Sequence, residues 1–429
     1  MTRRVWVAEL RRHVGWFLLA VWSVVCSLLL FAHQEWAGEL LSLAVEQRVD
    51  VIVLGPIAIT LAVWAGGRDR RRGLVELLAT MPAPSWWRHA VRWSALAAML
   101  CAGIMVSTAL GAFFVLGHTT YLGGRWWAVL LIVGAGLGAL VALGLAIGAL
   151  VPWRVAAPVA GLATYVGLGV PGYFPDSGFQ SLLPNGYESL FVGQQPGLAP
   201  GAVTLVFFGL VTVAFIALMS RGGYRVALPV ALAALGVGLV AGFQPPTWWW
   251  RPDPVGARSV CTADLPRVCV MRTHADLLPA VTRAVRPVLS GMGDVAPSEG
   301  AQEIPITQAR FDVERIIPLT LYGQVALTGD HLLRPAQLRQ EAASSPAIRC
   351  EPPDNEADRD YTSITALELG WTAVVLQASP DLARLDAGVW RNLRTAAPAD
   401  QQEFLREYAA AGRSCDWSAI RALYEQWAG

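Results

Sequence analysis

Lysine is absent from this chain of 429 residues; all 33 basic residues are arginine. Charge of either sign is scarce at 15%, where a soluble domain carries roughly 25%. Without lysine there is no phosphate-cradling Gly-x-x-x-x-Gly-Lys-Ser/Thr loop, which excludes the conventional ATPase half of a transporter. The scarcity of charge excludes an ordinary water-facing globule, and it excludes disorder, whose segments are charge-rich and apolar-poor. Neither His-Glu-x-x-His nor Gly-x-Ser-x-Gly occurs, which removes the commonest zinc-protease and serine-hydrolase signatures. What remains is apolar: 54% hydrophobic residues and a mean hydropathy of +0.44. The class this leaves is a polytopic α-helical membrane protein.

A membrane-crossing helix needs ~17–25 apolar residues. Seven stretches are predicted to span: Val14–Ala32, Val51–Gly67, Trp93–Leu116, Trp126–Val151, Val155–Val170, Ala202–Met219 and Ala227–Phe243. Only Pro152-Trp153-Arg154 separates the fourth from the fifth, so six spans is the alternative count. Arginine placement orients the chain by the positive-inside bias. With the N-terminus inside, Arg3, Arg4, Arg11, Arg12, Arg68, Arg70, Arg71, Arg72, Arg88, Arg92, Arg154, Arg221 and Arg225 fall on the cytoplasmic side; the short outer loops carry only Arg48 and Arg125. The first apolar run is long and lacks a small-residue cleavage site, so a cleaved signal peptide is not expected. An odd number of crossings places everything after Phe243 outside.

The chain thus divides into a membrane domain, residues 1–250, and an extracytoplasmic domain, residues 251–429. The second holds 23 of the 32 acidic residues. Cys26 and Cys101 fall in spans and read as small buried hydrophobes. Cys261, Cys269, Cys350 and Cys415 all lie in the outer tail, where an oxidising compartment permits three pairings. Cys261–Cys269 is favoured, closing a short loop around Asp264-Leu265-Pro266, with Cys350–Cys415 as the other pair. Zinc is the competing reading, but there is no Cys-x-x-Cys and no His-rich partner segment.

The stretch Gly66–Arg92 is the most informative. After the basic turn Arg68-Asp69-Arg70-Arg71-Arg72, Leu74, Leu77, Leu78 and Met81 recur at i, i+3, i+4 and i+7, the apolar stripe of a short helix. Glu76 and Thr80 take the other face. Pro82 and Pro84 stop the helix, and Trp86 and Trp87 suit an interfacial aromatic belt. N-terminally, Trp6, Leu10 and Val14 share a face; this segment reads either as a surface helix or as an extension of the first span.

The run Arg71-Arg72-Gly73-Leu74-Val75-Glu76-Leu77-Leu78-Ala79-Thr80-Met81-Pro82 resembles the cytoplasmic loop of ABC-2 type permeases, the membrane subunits of many bacterial ABC exporters. Those loops commonly read Arg-x-x-Gly-Thr-x-Glu-x-Leu with a proline a few residues on. Gly73, Glu76, Leu78 and Pro82 match, and Leu74 replaces the frequent threonine. The resemblance covers roughly Met1–Met219. It implies a six-span core, a coupling helix formed by Gly73, Leu74, Glu76, Leu77, Leu78, Met81 and Pro82, and a dimer with a second permease copy or paralogue. It also implies a separate ABC ATPase subunit that carries ATP and magnesium, so this chain holds no cofactor. A re-entrant segment before the sixth span fits Pro171–Pro200, which also reads as a plain outer loop. The seventh span, Ala227–Phe243, is extra to the core and ends at Trp248-Trp249-Trp250.

The expectation is an exporter permease subunit in a bacterial cell membrane, moving an unidentified hydrophobic or amphipathic substrate. The alternative is a polytopic anchor that displays an outer sensing or binding domain; an outer enzyme ranks lower. Nucleic acid is not an expected partner. The span cores contain no Asp, Glu, Arg or His, which argues against an ion-coupled carrier. Gly134/Gly138 and Gly144/Gly148 permit close helix contact.

The outer tail reads as a helix-rich α+β domain. Strands are expected at Val268–Met271, Ile304–Thr307 and Ile316–Leu321. A helix is expected over Asp276–Leu289, and another opens with a capping box at Asp400/Glu403 and stops at Gly412. A further stripe joins Trp417, Ile420, Leu423 and Trp427. His274 reads as a capping or surface residue, Asp330-His331 has no serine placed beside it, and the acidic segment Pro346–Tyr361 reads as a solvated loop lacking EF-hand spacing. No catalytic or metal-ligating residue is assigned.

Overall fold

A computed structural model describes residues 13–33, 36–74, 76, 80, 84–117, 119–151, 153–173, 178–186, 193–220, 222–245, 248–304, 316–321, 332, 334–344, 357–376 and 388–428. Two compact units are present: Met1–Gly117 with Leu122–Pro254, and His118–Tyr121 with Val255–Gly429.

The first unit is helical. Its elements are α1 (His13–Ala32), α2 (Leu40–Val49), α3 (Val51–Gly66), α4 (Arg68–Arg71), α5 (Ser85–Leu116), α6 (Trp126–Leu150), α7 (Ala156–Gly169), α8 (Leu198–Leu218) and α9 (Tyr224–Gly242). Short 3-10 turns at Val170–Tyr173 and Gly178–Leu182 follow α7, and β1 (Gln194–Pro196) pairs antiparallel with β2 (Trp250–Pro252). Helices α5, α6, α8 and α9 are each long and apolar enough to cross a membrane. The pair α2–α3, bent by 49°, makes a fifth if taken as one span. Against the seven predicted segments, the structure thus supports four to five spans among the described residues, together with the shorter apolar helices Trp16–Ala32 and Ala156–Gly169. At ~1.5 Å per residue α7 rises about 21 Å, less than the ~30 Å of hydrocarbon.

Outward-facing residues of α8 and α9 include Val206, Val213, Leu228, Leu232, Leu235 and Val240, all exposed. A water-soluble fold does not present apolar rows on this scale; hydrocarbon is the solvent that suits them, and the protein is a helical membrane protein. The opposite extreme is α6, buried along most of its length. Its core partners are Cys26 of α1, Leu54 of α3 and Leu100 of α5, packed with Val133, Leu137 and Val141. Gly144 and Gly148 abut α3: a Cβ on Gly148 would stand 2.1 Å from the carbonyl oxygen of Val63, and one on Gly66 2.4 Å from that of Leu145. Glycine is required here because the backbones themselves are in contact. The indoles of Trp22 and Trp93 donate to helix carbonyls of Leu100 (2.9 Å) and Gly138 (2.8 Å).

The second unit carries a four-stranded sheet, β3 (Ser259–Cys261), β4 (Val268–Met271), β5 (Gly300–Glu303) and β6 (Ile316–Leu319), in that spatial order. The β3–β4 pair is antiparallel, while β4–β5 and β5–β6 are parallel. A 3-10 turn, Arg272–Leu277, leads into α10 (Leu278–Met292); α11 (Pro335–Ser344), α12 (Ala357–Leu376), α13 (Gly388–Thr395), α14 (Pro398–Ser414) and α15 (Trp417–Ala428) complete it. The α+β reading holds for the described residues, with local corrections. The strand Gly300–Glu303 has no counterpart in the sequence reading; of the strand expected at Ile304–Thr307, only Ile304 falls among the described residues. The helix expected from Asp276 begins at Leu278, after the 3-10 turn. Helix α14 starts on Pro398, whose lost N–H is harmless in a first turn, so Asp400 lies inside it and makes no cap. It runs through Gly412 and stops at Cys415, in the left-handed region with φ 50°. Asp416 caps α15 instead, its Oδ1 accepting from the amides of Ser418 (3.0 Å) and Ala419 (3.1 Å).

Candidate functional site

At the arginine-rich end of the helical unit, α4 ends on Gly73, whose φ is +65°. The amide of Gly73 bonds Arg70 O (3.1 Å) and that of Leu74 bonds Asp69 O (3.0 Å). This is the paired closure of a helix at a left-handed residue, which glycine adopts without a Cβ penalty. The turn is pinned to three helices. Asp69 pairs with Arg92 of α5 at 2.8 Å, Arg70 donates to Leu150 O at the end of α6 (3.2 Å), and Arg71 donates to Trp64 O of α3 while lying over its ring at 4.7 Å.

Of the coupling residues inferred from sequence, Gly73 is exposed, Leu74 half-buried, and Glu76 helical and exposed. Leu77, Leu78, Met81 and Pro82 lie outside the described residues, as do Val75 and the N-terminal stripe residues Trp6 and Leu10.

The bent pair α2–α3 departs furthest from the sequence reading. Residues 33–50 read as a short outer loop that carries Arg48. Instead Glu39, Ser42, Gln47, Arg48 and Asp50 are all buried. Arg48 Nη2 donates to Ser181 O (3.0 Å) and Leu183 O (3.1 Å), and its guanidinium lies 4.9 Å from the Trp249 ring centre. Gly186, at φ +32°, approaches so closely that a Cβ there would sit 2.3 Å from the guanidinium carbon. Neighbouring Gln47 points elsewhere and donates to Ser107 Oγ of α5 at 3.0 Å.

Asp50 carries the helical ladder through the bend, its amide bonding Glu46 O and its carbonyl accepting from Val53 and Leu54. Pro56 lies inside α3, six residues beyond the break at Asp50. Because this element contains Glu46, Arg48 and Asp50, the inference against ion coupling, drawn from charge-free span cores, does not extend to it.

Between α5, α6 and α8 lies an apolar cleft of about 500 Å³, lined by Trp93, Cys101, Gly134, Gly138, Phe208 and Thr212 among others. The glycines leave this space, and no sequence pattern marked it.

In the second unit Cys261 and Cys269 face each other across the β3–β4 register and form a disulfide. Cys415 is also disulfide-bonded; Cys350, its expected partner, lies outside the described residues. Cys26 and Cys101 are free.

His274 is neither cap nor surface group. It is buried, with Nδ1 2.7 Å from Glu303 Oε1, while Glu303 Oε2 accepts the Met271 amide at 2.7 Å. The pair ties together the carboxyl ends of parallel strands β4 and β5, 29 residues apart in sequence, a relation that no local signal could expose. Asp330, His331 and the acidic residues Glu351, Asp354 and Glu356 lie outside the described residues; Asp358 and Asp360 fall within α12. Among the described residues no grouping of three or more His, Cys, Asp or Glu suits a metal ion. No known protein family, curated protein or solved structure matches the chain.

Proposed function

We propose that the chain is the membrane subunit of an ATP-driven exporter of the ABC-2 permease kind, working as a dimer with separate ATPase subunits. In this reading it lies in a bacterial cell membrane with its arginine-rich end cytoplasmic and the disulfide-bearing unit outside. The observation that carries the proposal is the attachment of the α4–Gly73 turn to the ends of α3, α5 and α6. A displacement applied at Glu76 by a nucleotide-driven partner would be delivered to three helices at once, through the Asp69–Arg92 pair and two arginine-to-carbonyl bonds. Packed helix pairs respond to such a push by switching between discrete arrangements. The cleft between α5, α6 and α8, apolar and about 500 Å³, suits a hydrophobic or amphipathic substrate. The disulfide Cys261–Cys269 suits an oxidising outer compartment.

The test is purification of the full chain from native membranes with any bound ATPase identified, followed by Glu76→Ala and Leu77→Ala. Loss of ATPase binding by variants that still insert supports the reading; undiminished binding refutes the coupling assignment. Asp69→Asn and Arg92→Gln should leave the ATPase bound while lowering transport per ATP hydrolysed.

A further inference from the structure

We propose that Asp50 is a proton-binding group of the helical unit, exchanging a proton at the bend between α2 and α3. The proposal is independent of the ATPase reading.

Asp50 is 7% exposed, and Oδ2 has no hydrogen-bond partner among the described residues. One helical turn earlier, on the same face, Gln47 is fully buried and its Oε1 is likewise unpartnered. Gln47 uses its amide nitrogen on Ser107, so its oxygen remains an open acceptor. Asp50 Oδ2 and Gln47 Oε1 are thus two buried acceptors, three residues apart in the chain, that no donor among the described residues reaches. A carboxylate placed there without a donor loses its hydration and gains nothing in return. A proton on Asp50 removes the charge and converts an acceptor into a donor.

The surrounding charges do not supply an alternative. Glu46, the charged group acting on Asp50, is another acid. Cys26 of α1 is the ionisable group facing it from the next helix, and α5 presents Ser107. Arg48, two residues away, is committed to Ser181 O, Leu183 O and Trp249. Position matters as well: α3 has 16 residues, about 24 Å at ~1.5 Å each. Asp50 therefore stands nearly a bilayer core away from the arginine-rich end.

The experiment uses the full chain in native membranes and dicyclohexylcarbodiimide, an apolar reagent. The O–H of a protonated carboxyl adds across one C=N bond of the reagent; the O-acylisourea formed then rearranges to a stable N-acylurea of the same mass. Mass spectrometry should find one such adduct on Asp50, formed faster as pH is lowered. The adduct should be absent from Asp50→Asn, retained in Glu46→Gln, and not produced by a water-soluble carbodiimide. Absence of the adduct at Asp50 in the wild-type chain overturns the proposal. An adduct placed on Glu46 instead also overturns it. Protection by sodium chloride but not by choline chloride replaces the proton with a bound metal cation and overturns it too.

Discussion

Replacing Arg48 by glutamine tests whether α2 is held as a buried lock rather than lying as a surface loop. Arg48 is 3% exposed and binds two carbonyls of the 178–186 segment from one nitrogen. A hydrogen bond to a charged donor contributes about 1.5–3 kcal/mol, and a cation–π contact about 0.5–2 kcal/mol. Because both bonds share Nη2, the contributions do not add, and about 3 kcal/mol is the working total. Each ~1.4 kcal/mol is tenfold in an equilibrium. Local opening of residues 178–186 should therefore become about a hundredfold more frequent. Hydrogen exchange at the amides of Leu183 and Gly186, which bond Gln180 O and Leu183 O, reads this directly. Arg48→Lys should restore only part of the protection, because a single ammonium lacks the planar fork. Unchanged exchange in Arg48→Gln would refute the lock.

Converting Cys261 and Cys269 to serine opens a loop of sequence separation 8, worth roughly 2.5 kcal/mol by loop entropy; thermal unfolding of the second unit should fall accordingly, and reductant should cease to lower it further in respect of this loop. Glu303→Ala strands the buried donors Met271 N–H and His274 and should destabilise the sheet by about 2–4 kcal/mol, with the largest rise in hydrogen exchange at Met271. The Ser418 hydroxyl, followed by backbone amides, holds the Asp416 carboxyl below the usual aspartate range. Its capping contribution is thus complete above the ordinary aspartate pKa and disappears as pH falls through the depressed one. Exchange at Ser418 and Ala419 should accelerate over that acid window in the wild type and show no such step in Asp416→Asn.

The long helices α5, α6, α8 and α9 were legible because an uninterrupted apolar run has one stable backbone form in hydrocarbon. Cys261–Cys269 was legible because eight residues and a turn-forming Leu265-Pro266 bring the two thiols together locally. Gly73 could be singled out, though its left-handed φ and its paired closure on Asp69 and Arg70 became visible only in three dimensions. The α2 helix was missed because Glu39, Glu46, Arg48 and Asp50 give it the composition of a loop. Arg48 and the neighbouring Gln47 are buried against Ser107, Ser181, Leu183 and Trp249, residues up to about two hundred positions away. His274 and Glu303 failed to register for the same reason.

The amino-acid sequence by itself determined the solvent of the first unit and the separation of a charged tail from it, since both follow from transfer free energies summed along the chain. Tertiary structure decided which polar groups enter the interior and what they meet there. Arg48 and the His274–Glu303 pair owe their character to distant partners, as buried polar groups generally do, whereas the buried Oδ2 of Asp50 has none among the described residues and so favours the uncharged carboxyl.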